Sequence, residues 1–162
     1  GYTQNTQYVE IKVDKNTAYQ MDSVSGDAII TVTYENHPVK GKLVIHKSGE
    51  TLKSFKKDFV YEETSLEGAE FEIYAAEDIF TPDHQVDEQG NRHVIYAKDT
   101  LVKTVTTDKN GEAVIKDLPL GKYRVKETKT PAGFVLNPDS QEVSFIYKDQ
   151  NTPEIEEKLE FI

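Results

Sequence analysis

Three polar residues of complementary chemistry each occupy the last inward-facing position of a predicted strand. Lys47 follows two aliphatic residues in the alternating stretch "LVIHK", Glu127 follows an aromatic and an aliphatic residue in "YRVKE", and Asn36 ends the alternating stretch "IITVTYEN". Because neighbouring side chains of a strand point to opposite faces, each of these residues shares the face of the apolar residues before it. The pattern therefore predicts a lysine, a glutamate and an asparagine that point toward a core.

Together these residue types can make an amide bond between side chains. An ammonium that loses its hydration gives up its proton more readily, and the neutral amine is a nucleophile. The carboxamide of asparagine is a poor electrophile until its oxygen receives a proton or a strong hydrogen bond. A buried carboxylic acid can donate that proton and assist the departure of ammonia.

Each residue taken alone also has an ordinary structural explanation. A lysine at a strand end often covers apolar surface with its stem while its ammonium reaches water. A glutamate or an asparagine in the same place often binds a backbone amide of the following turn. The combination of the three residue types favours the chemical interpretation, and the structural one stays open.

The elements that must position these residues are predicted to be almost entirely β-strands. Apolar alternation marks eight stretches, at 9–13, 30–34, 71–73, 102–105, 113–115, 123–125, 143–145 and 155–161. The pair Asn110-Gly111 between two of these stretches predicts a β-hairpin. Only 75–80 and 65–68 resemble helical turns. Strands and turns at this spacing predict an all-β sandwich.

Two segments of the chain are similar to each other in sequence. Residues 1–13 align with residues 133–145 without a gap, so that Gly1, Asn5 and Glu10 recur as Gly133, Asn137 and Glu142. Further along the alignment, Tyr34 corresponds to Phe161. The repeat predicts that residues 1–38 are the last two strands of a preceding copy plus a linker. Residues 39–162 are predicted to form a second copy that ends one residue before the position equivalent to Asn36. We expect residues 1–38 to lean on this domain or to borrow strands from a neighbouring molecule.

Composition narrows the possible partners. Nineteen basic residues against twenty-nine acidic ones give a net charge of −10, which argues against nucleic acid and anionic membranes as partners. The absence of cysteine excludes a disulfide framework and a thiolate metal site. The acidic loop 81–93 does not have the spacing of the twelve-residue calcium loop, and a solvated loop is the better interpretation. We therefore expect no cofactor and no membrane insertion.

Several motifs resemble the collagen-adhesin B-type (Cna B-type, SpaA-like) domain of Gram-positive surface proteins and pilins. They are "LVIHK", "LEGAEFEIY", "TTDKNGEAVIKDLPLGKYRVKETKTPAGF" and the ending "YEN", and the most specific part runs from Tyr123 to Phe134. The resemblance covers about Val39 to the last residue. It implies a transthyretin-like, or reverse-immunoglobulin, β-sandwich that repeats along a cell-wall-attached stalk.

The resemblance also implies roles for the three polar residues. Many members of the family form a Lys–Asn or Lys–Asp isopeptide bond by themselves, assisted by a glutamate. Lys47 matches the reactive lysine, Glu127 matches the catalytic glutamate, and Asn36 matches the acceptor of the preceding copy. The acceptor for Lys47 would follow Ile162, so we expect this chain to hold no intact bond of its own.

The expected function is that of an extracellular stalk or spacer module whose partners are neighbouring repeats of the same protein. Such a module is not a turnover enzyme, because the bond forms once and within the chain. The alternative is an adhesin domain whose insertion at 77–99 presents Phe80, His84 and Tyr96 to a host protein or glycan.

Overall fold

A computed structural model describes residues 1–14, 17, 19–56 and 58–162. The strands are β1 (Gln20–Met21), β2 (Ala28–Ile29), β3 (Lys40–Ser54), β4 (Val60–Ser65), β5 (Glu70–Ala75), β6 (Ile79–Phe80), β7 (Val94–Tyr96), β8 (Leu101–Thr106), β9 (Glu112–Leu118), β10 (Gly121–Lys129), β11 (Ser140–Phe145) and β12 (Glu154–Phe161). None of the described residues lies in a helix that could cross a membrane. The predicted all-β class is confirmed.

Two sheets face each other across the core. One is antiparallel, with the order β11-β10-β5-β8. The other is centred on the first half of β3, which pairs in parallel with β12 on one side and antiparallel with β9 on the other. The second half of β3 continues past this sheet and pairs with β4. The architecture is the predicted β-sandwich.

Alternating apolar residues of both sheets fill the space between them. The fully buried members include Leu43, Ile45, Phe71, Ile73, Tyr123 and Val125. One glycine lets the sheets approach closely, because a Cβ added at Gly41 would lie 2.7 Å from the ring of Phe145. The parts of β3 and β10 that carry Lys47 and Glu127 are thus held against a packed core.

The hairpin predicted at Asn110-Gly111 is wrong. The chain does reverse there, since the N–H of Gly111 donates to the carbonyl of Asp108 at 2.8 Å. However, β8 pairs with β5 and β9 pairs with β3, so the turn carries the chain from one sheet to the other. A turn motif specifies a local reversal, and burial of apolar faces decides which strands then pair.

Strands predicted at 9–13 and 30–34 are also absent from the structure, which has only the short β1 and β2 in this part of the described chain. Val9 and Val13 are 49% and 68% exposed. Apolar alternation stabilises a strand only where a second layer covers the apolar face, and the exposure of Val9 and Val13 shows that their face is not covered in this way. The helical turn expected at 75–80 is likewise wrong, because Ala75 ends β5 and Ile79 begins β6.

The N-terminal segment contacts the main domain. Val39 donates its N–H to the carbonyl of Gly1 at 2.9 Å, next to a bond within the segment from the N–H of Thr3 to the carbonyl of His37 at 2.8 Å. Gln4 reaches further and donates to the carbonyl of Gln150 at 2.9 Å. Residues 15, 16 and 18, which belong to the predicted preceding copy, lie outside the described residues.

Candidate functional site

Lys47 and Glu127 meet between the two sheets. Lys47 ends the core-facing half of β3 and Glu127 lies near the end of β10, each in phase with the apolar residues that precede it. Their side chains are only 2% and 0% exposed, and Nζ of Lys47 lies 3.4 Å from Oε2 of Glu127. Two ionisable groups thus share one enclosed space at one end of the sandwich.

Two aromatic rings close this space. Phe161 is the register partner of Lys47 on the parallel strand β12, and Phe71 is the register partner of Glu127 on β5. The two rings contact each other across the sandwich, with centroids 4.8 Å apart. Because aromatic side chains exclude water, they leave the amine and the carboxyl in a medium of low polarity, where electrostatic and hydrogen-bond interactions are strong.

The backbone of Lys47 is fixed from both sides. Its N–H donates to the carbonyl of Gly111 at 2.8 Å, and its carbonyl accepts from the N–H of Leu66 at 2.9 Å. Gly111 has a φ of +73°, and a Cβ at this position would lie 2.6 Å from the carbonyl oxygen of Lys47. Glycine is therefore required both for the backbone conformation and for the close approach.

The carboxyl of Glu127 is only partly satisfied. Its Oε2 accepts from the backbone N–H of Asn137 at 2.9 Å. Its Oε1 is buried and has no hydrogen-bond partner among the described residues. A buried carboxyl oxygen without a partner is costly, so this atom is free to accept from a further donor.

Asn36 does not join this pair. Its side chain is exposed, and its Oδ1 accepts from the backbone N–H of Asn5 at 3.0 Å. The prediction that Asn36 occupies a buried face is wrong, because the end of its stretch lies beside Asn5 of the N-terminal segment, which also donates its Nδ2 to the carbonyl of Glu35 at 3.1 Å, and stays exposed there. A strand rises about 3.3 Å per residue, so Lys47 lies roughly 23 Å along β3 from Lys40, the first residue of that strand. Asn36 precedes Lys40 in the chain.

The acidic loop 81–93 uses its carboxylates to hold its own backbone. Asp83 accepts from Thr81 and Gln85, and Asp87 accepts from the backbone N–H groups of Gln89 and Asn91. These bonds lower the pKa of both carboxyls, that of Asp83 mainly through the Thr81 hydroxyl and that of Asp87 mainly through the Asn91 N–H. Among the described residues, no group of three or more acidic or histidine side chains is placed to hold a metal ion.

Comparison with known proteins identifies the family. The model of the SpaA domain, described as a prealbumin-like fold domain, matches residues 50–159. This chain belongs to the SpaA family. The match includes Glu127 and Asn137 and begins three residues after Lys47.

Individual relatives of this SpaA domain are longer bacterial proteins. The trypsin-resistant surface T6 protein of Streptococcus pyogenes is 43% identical over 44 residues, which are 27% of this chain and 8% of that protein. Among solved structures, the Bacillus anthracis TIE protein is 30% identical with a TM-score of 0.43, over 77% of this chain and 18% of that one. The major pilin SpaD of Corynebacterium diphtheriae is 26% identical with a TM-score of 0.43, over 75% of this chain and 31% of that one. The chain thus spans less than a third of each of these relatives.

Motif reasoning missed two kinds of residue in this SpaA domain. Phe71 and Phe161 lay in predicted strands, but the alternation gives no sign that their rings would meet around the polar pair. Asn137 did carry a signal, since it is one of the identities shared by the two copies. Its hydrogen bond to Glu127 becomes visible only in the folded chain.

Proposed function

We propose that this SpaA domain is an extracellular stalk module of a cell-wall-attached surface or pilin-like protein, and that it stands in line with further copies of the same fold. The family and the surface and pilin proteins among its relatives support a structural module of this kind. The internal similarity of residues 1–13 to residues 133–145 supports the tandem arrangement, with residues 1–38 as the end of one copy and residues 39–162 as the next.

The proposed chemistry of the module is one self-made isopeptide bond. Nζ of Lys47 attacks the side-chain carboxamide carbon of an asparagine, the C–N bond of that carboxamide breaks, and ammonia leaves as the new amide forms. Glu127 donates a proton to the carboxamide and takes up the proton released by the amine. The observation that carries this proposal is the buried contact of 3.4 Å between the two groups.

The acceptor is proposed to follow Ile162. Phe161 points into the core beside Lys47, as its burial and register show. Because side chains alternate, the second residue after Phe161 points to the same face. In the aligned copies that position corresponds to Asn36. The reaction consumes its own lysine, so each chain reacts once and the module is not a turnover enzyme.

A lengthened chain tests this proposal. The chain is extended past Ile162 by an asparagine and a short polar tail, and its intact mass is measured after denaturation. We expect the loss of one ammonia in the lengthened chain and no loss in its Lys47→Ala and Glu127→Ala variants. An unchanged mass in the folded, lengthened chain would contradict the proposal.

A cleft supports a second candidate function, the recognition of a host protein or glycan. It has a volume of about 820 Å³ and lies at the other end of the sandwich, between the 77–99 insertion, the turn at 117–122 and the N-terminal segment. The guanidinium of Arg92 stacks on the ring of Phe80 at 4.3 Å, and both residues line the cleft together with His84. Tyr96 was expected to face a ligand, but it packs against the core.

Binding to panels of glycans and matrix proteins separates the two functions. A ligand of the cleft is expected to lose affinity in Arg92→Ala and Phe80→Ala variants. Val135→Ser is the matched control, because Val135 is 89% exposed and does not line the cleft. Binding that survives the two cleft variants would remove this candidate.

A further inference from the structure

We propose that Asn137 is a positioning residue for the cross-link. Its side chain holds the strand that leads to the acceptor, and its backbone N–H faces the acceptor carboxamide oxygen. The proposal rests on the isopeptide function above and assigns a residue that the family resemblance does not.

Asn137 makes three hydrogen bonds that connect the two sides of the site. Its Oδ1 accepts from the N–H of Asp139 at 3.0 Å, in a local turn that fixes the direction of the side chain. Its Nδ2 donates to the carbonyl of Ile162 at 3.3 Å, just after β12. Its backbone N–H donates to Oε2 of Glu127 at 2.9 Å. One residue thus links the proposed proton donor to the strand end from which the acceptor follows.

The two side-chain bonds of Asn137 recur at Asn5, its counterpart in the preceding copy. Oδ1 of Asn5 accepts from the N–H of Gln7 at 3.0 Å, and its Nδ2 donates to the carbonyl of Glu35 at 3.1 Å. Glu35 corresponds to Ile162 when Tyr34 is aligned with Phe161. Because the surroundings of the two asparagines differ, the repetition shows that the sequence itself specifies this arrangement.

The third bond at Asn5 shows where an acceptor would lie. The backbone N–H of Asn5 donates to Oδ1 of Asn36 at 3.0 Å, and Asn36 directly follows the carbonyl that the Asn5 side chain holds. An asparagine after Ile162 would present its carboxamide oxygen to the N–H of Asn137 in the same way. In this structure that N–H donates to Glu127, so an acceptor oxygen that took this bond would lie next to the carboxyl. A fixed N–H at this point stabilises the negative charge that develops on the oxygen during attack.

The chemistry requires an asparagine at this position. The NH₂ of the asparagine carboxamide donates to the carbonyl of Ile162, whereas an ionised aspartate could accept from Asp139 but could not donate. Asn137→Asp therefore keeps the local turn and loses the bond to the last strand, while Asn137→Ala loses both.

The test follows ammonia loss over time in the lengthened chain, synthesised in a cell-free system and quenched at intervals for mass measurement. We expect cross-linking to slow about tenfold or more in both Asn137→Ala and Asn137→Asp, as a looser near-attack geometry predicts. Asn137→Asp is expected to keep the melting temperature of the unextended chain within a few degrees.

Two matched controls accompany these variants. Asn5→Ala removes the same set of side-chain bonds far from Lys47 and is expected to leave the rate unchanged. Gln141→Ala removes another side-chain amide bond to β12, from Nε2 of Gln141 to the carbonyl of Glu160 at 2.6 Å. It is expected to slow the reaction much less than the Asn137 variants.

Each outcome has one interpretation. If the unsubstituted lengthened chain never loses ammonia, the cross-linking function and the role of Asn137 both fail. If it does lose ammonia and Asn137→Ala reacts at the same rate, only the role of Asn137 fails. A normal rate in Asn137→Asp also overturns the role of Asn137, because the local turn alone would then be sufficient. An equal slowing in Gln141→Ala overturns it as well, because any side-chain bond that holds β12 would then have the same effect.

Discussion

Phe71 and Phe161 lie ring against ring, with centroids 4.8 Å apart, and each is the cross-strand partner of one member of the Lys47–Glu127 pair. The aromatic contact between β5 and β12 and the polar contact between β3 and β10 therefore occupy paired positions on neighbouring strands of the same two sheets. Any change in the spacing of the sheets at this end alters both contacts, so the stability and the reactivity of the site are coupled.

Removing one member of the polar pair should destabilise the fold more than removing both. Lys47→Met leaves Glu127 buried without its partner, and we expect a loss of about 3–5 kcal/mol in the free energy of unfolding. The double variant Lys47→Met/Glu127→Gln should recover much of this loss, because glutamine still accepts from the N–H of Asn137. Denaturant unfolding of the single and double variants measures the coupling, and additive effects would contradict it.

Gly111→Ala should destabilise the chain by about 1–3 kcal/mol, because it imposes strain at a positive φ and forces a Cβ toward the carbonyl oxygen of Lys47. Gly90→Ala is the matched control. Gly90 has a φ of +83°, but a Cβ there meets nothing within 4 Å. Denaturant unfolding should therefore show a clearly smaller effect for Gly90→Ala, and equal effects would mean that the close contacts of a Cβ at Gly111, with Lys47, Ser65 and Leu66, cost nothing.

The unextended chain should keep its full mass. Asn36 is exposed and lies before the start of β3, whereas Lys47 is buried at the far end of its core-facing half. The two side chains cannot meet within one chain while both sheets are intact. Intact-mass measurement after denaturation checks this, and a loss of ammonia that disappears in Asn36→Ala would show that Asn36 is the acceptor of Lys47.

Acid should weaken the turn that fixes Lys47. The N–H of Glu112 and then that of Asn110 donate to the carboxylate of Asp108 and hold its pKa below the ordinary value of 3.8. Because the folded-state pKa is depressed, the carboxylate contributes stability above about pH 4, and this contribution is lost as the pH falls through the folded-state pKa. The melting temperature of the unsubstituted chain should exceed that of Asp108→Asn near neutral pH, and the difference should disappear in acid.

Asp22→Asn is the control for this pH dependence. Asp22 has a lowered pKa for the same reason, through the N–H groups of Ser25 and Val24, but it lies in the short β1–β2 hairpin outside the sandwich. Its substitution should leave the melting temperature of the sandwich unchanged at every pH. A difference for Asp108→Asn that persists unchanged in acid would mean that its charge is not the cause.

Strand periodicity predicted the buried polar pair correctly, because alternation states which face a residue occupies and the neighbours of Lys47 and Glu127 are strongly apolar. The same reasoning was wrong for Asn36. Its stretch alternates just as clearly, but alternation contains no information about whether a second sheet covers the apolar face.

Pairing between strands was harder to predict than the strands themselves. Asn110-Gly111 does reverse the chain, and the strands on either side of it are present. Their partners are β5 and β3 in opposite sheets, which depends on contacts that are distant in sequence. For the same reason the bonds of Asn137 to Glu127 and to Ile162 could not be read from its neighbours, even though its recurrence as Asn5 had marked it.

The parallel pairing of β3 with β12 has a further consequence for a chain that is pulled from both ends. The chain enters β3 at Lys40 and leaves β12 at Phe161, at opposite ends of two adjacent strands of the same sheet, and eight register pairs from Glu154↔Lys40 to Phe161↔Lys47 join the two strands. Opposite pulls therefore load this ladder in shear. Its hydrogen bonds must yield together instead of peeling one at a time, which slows rupture even before any covalent link forms.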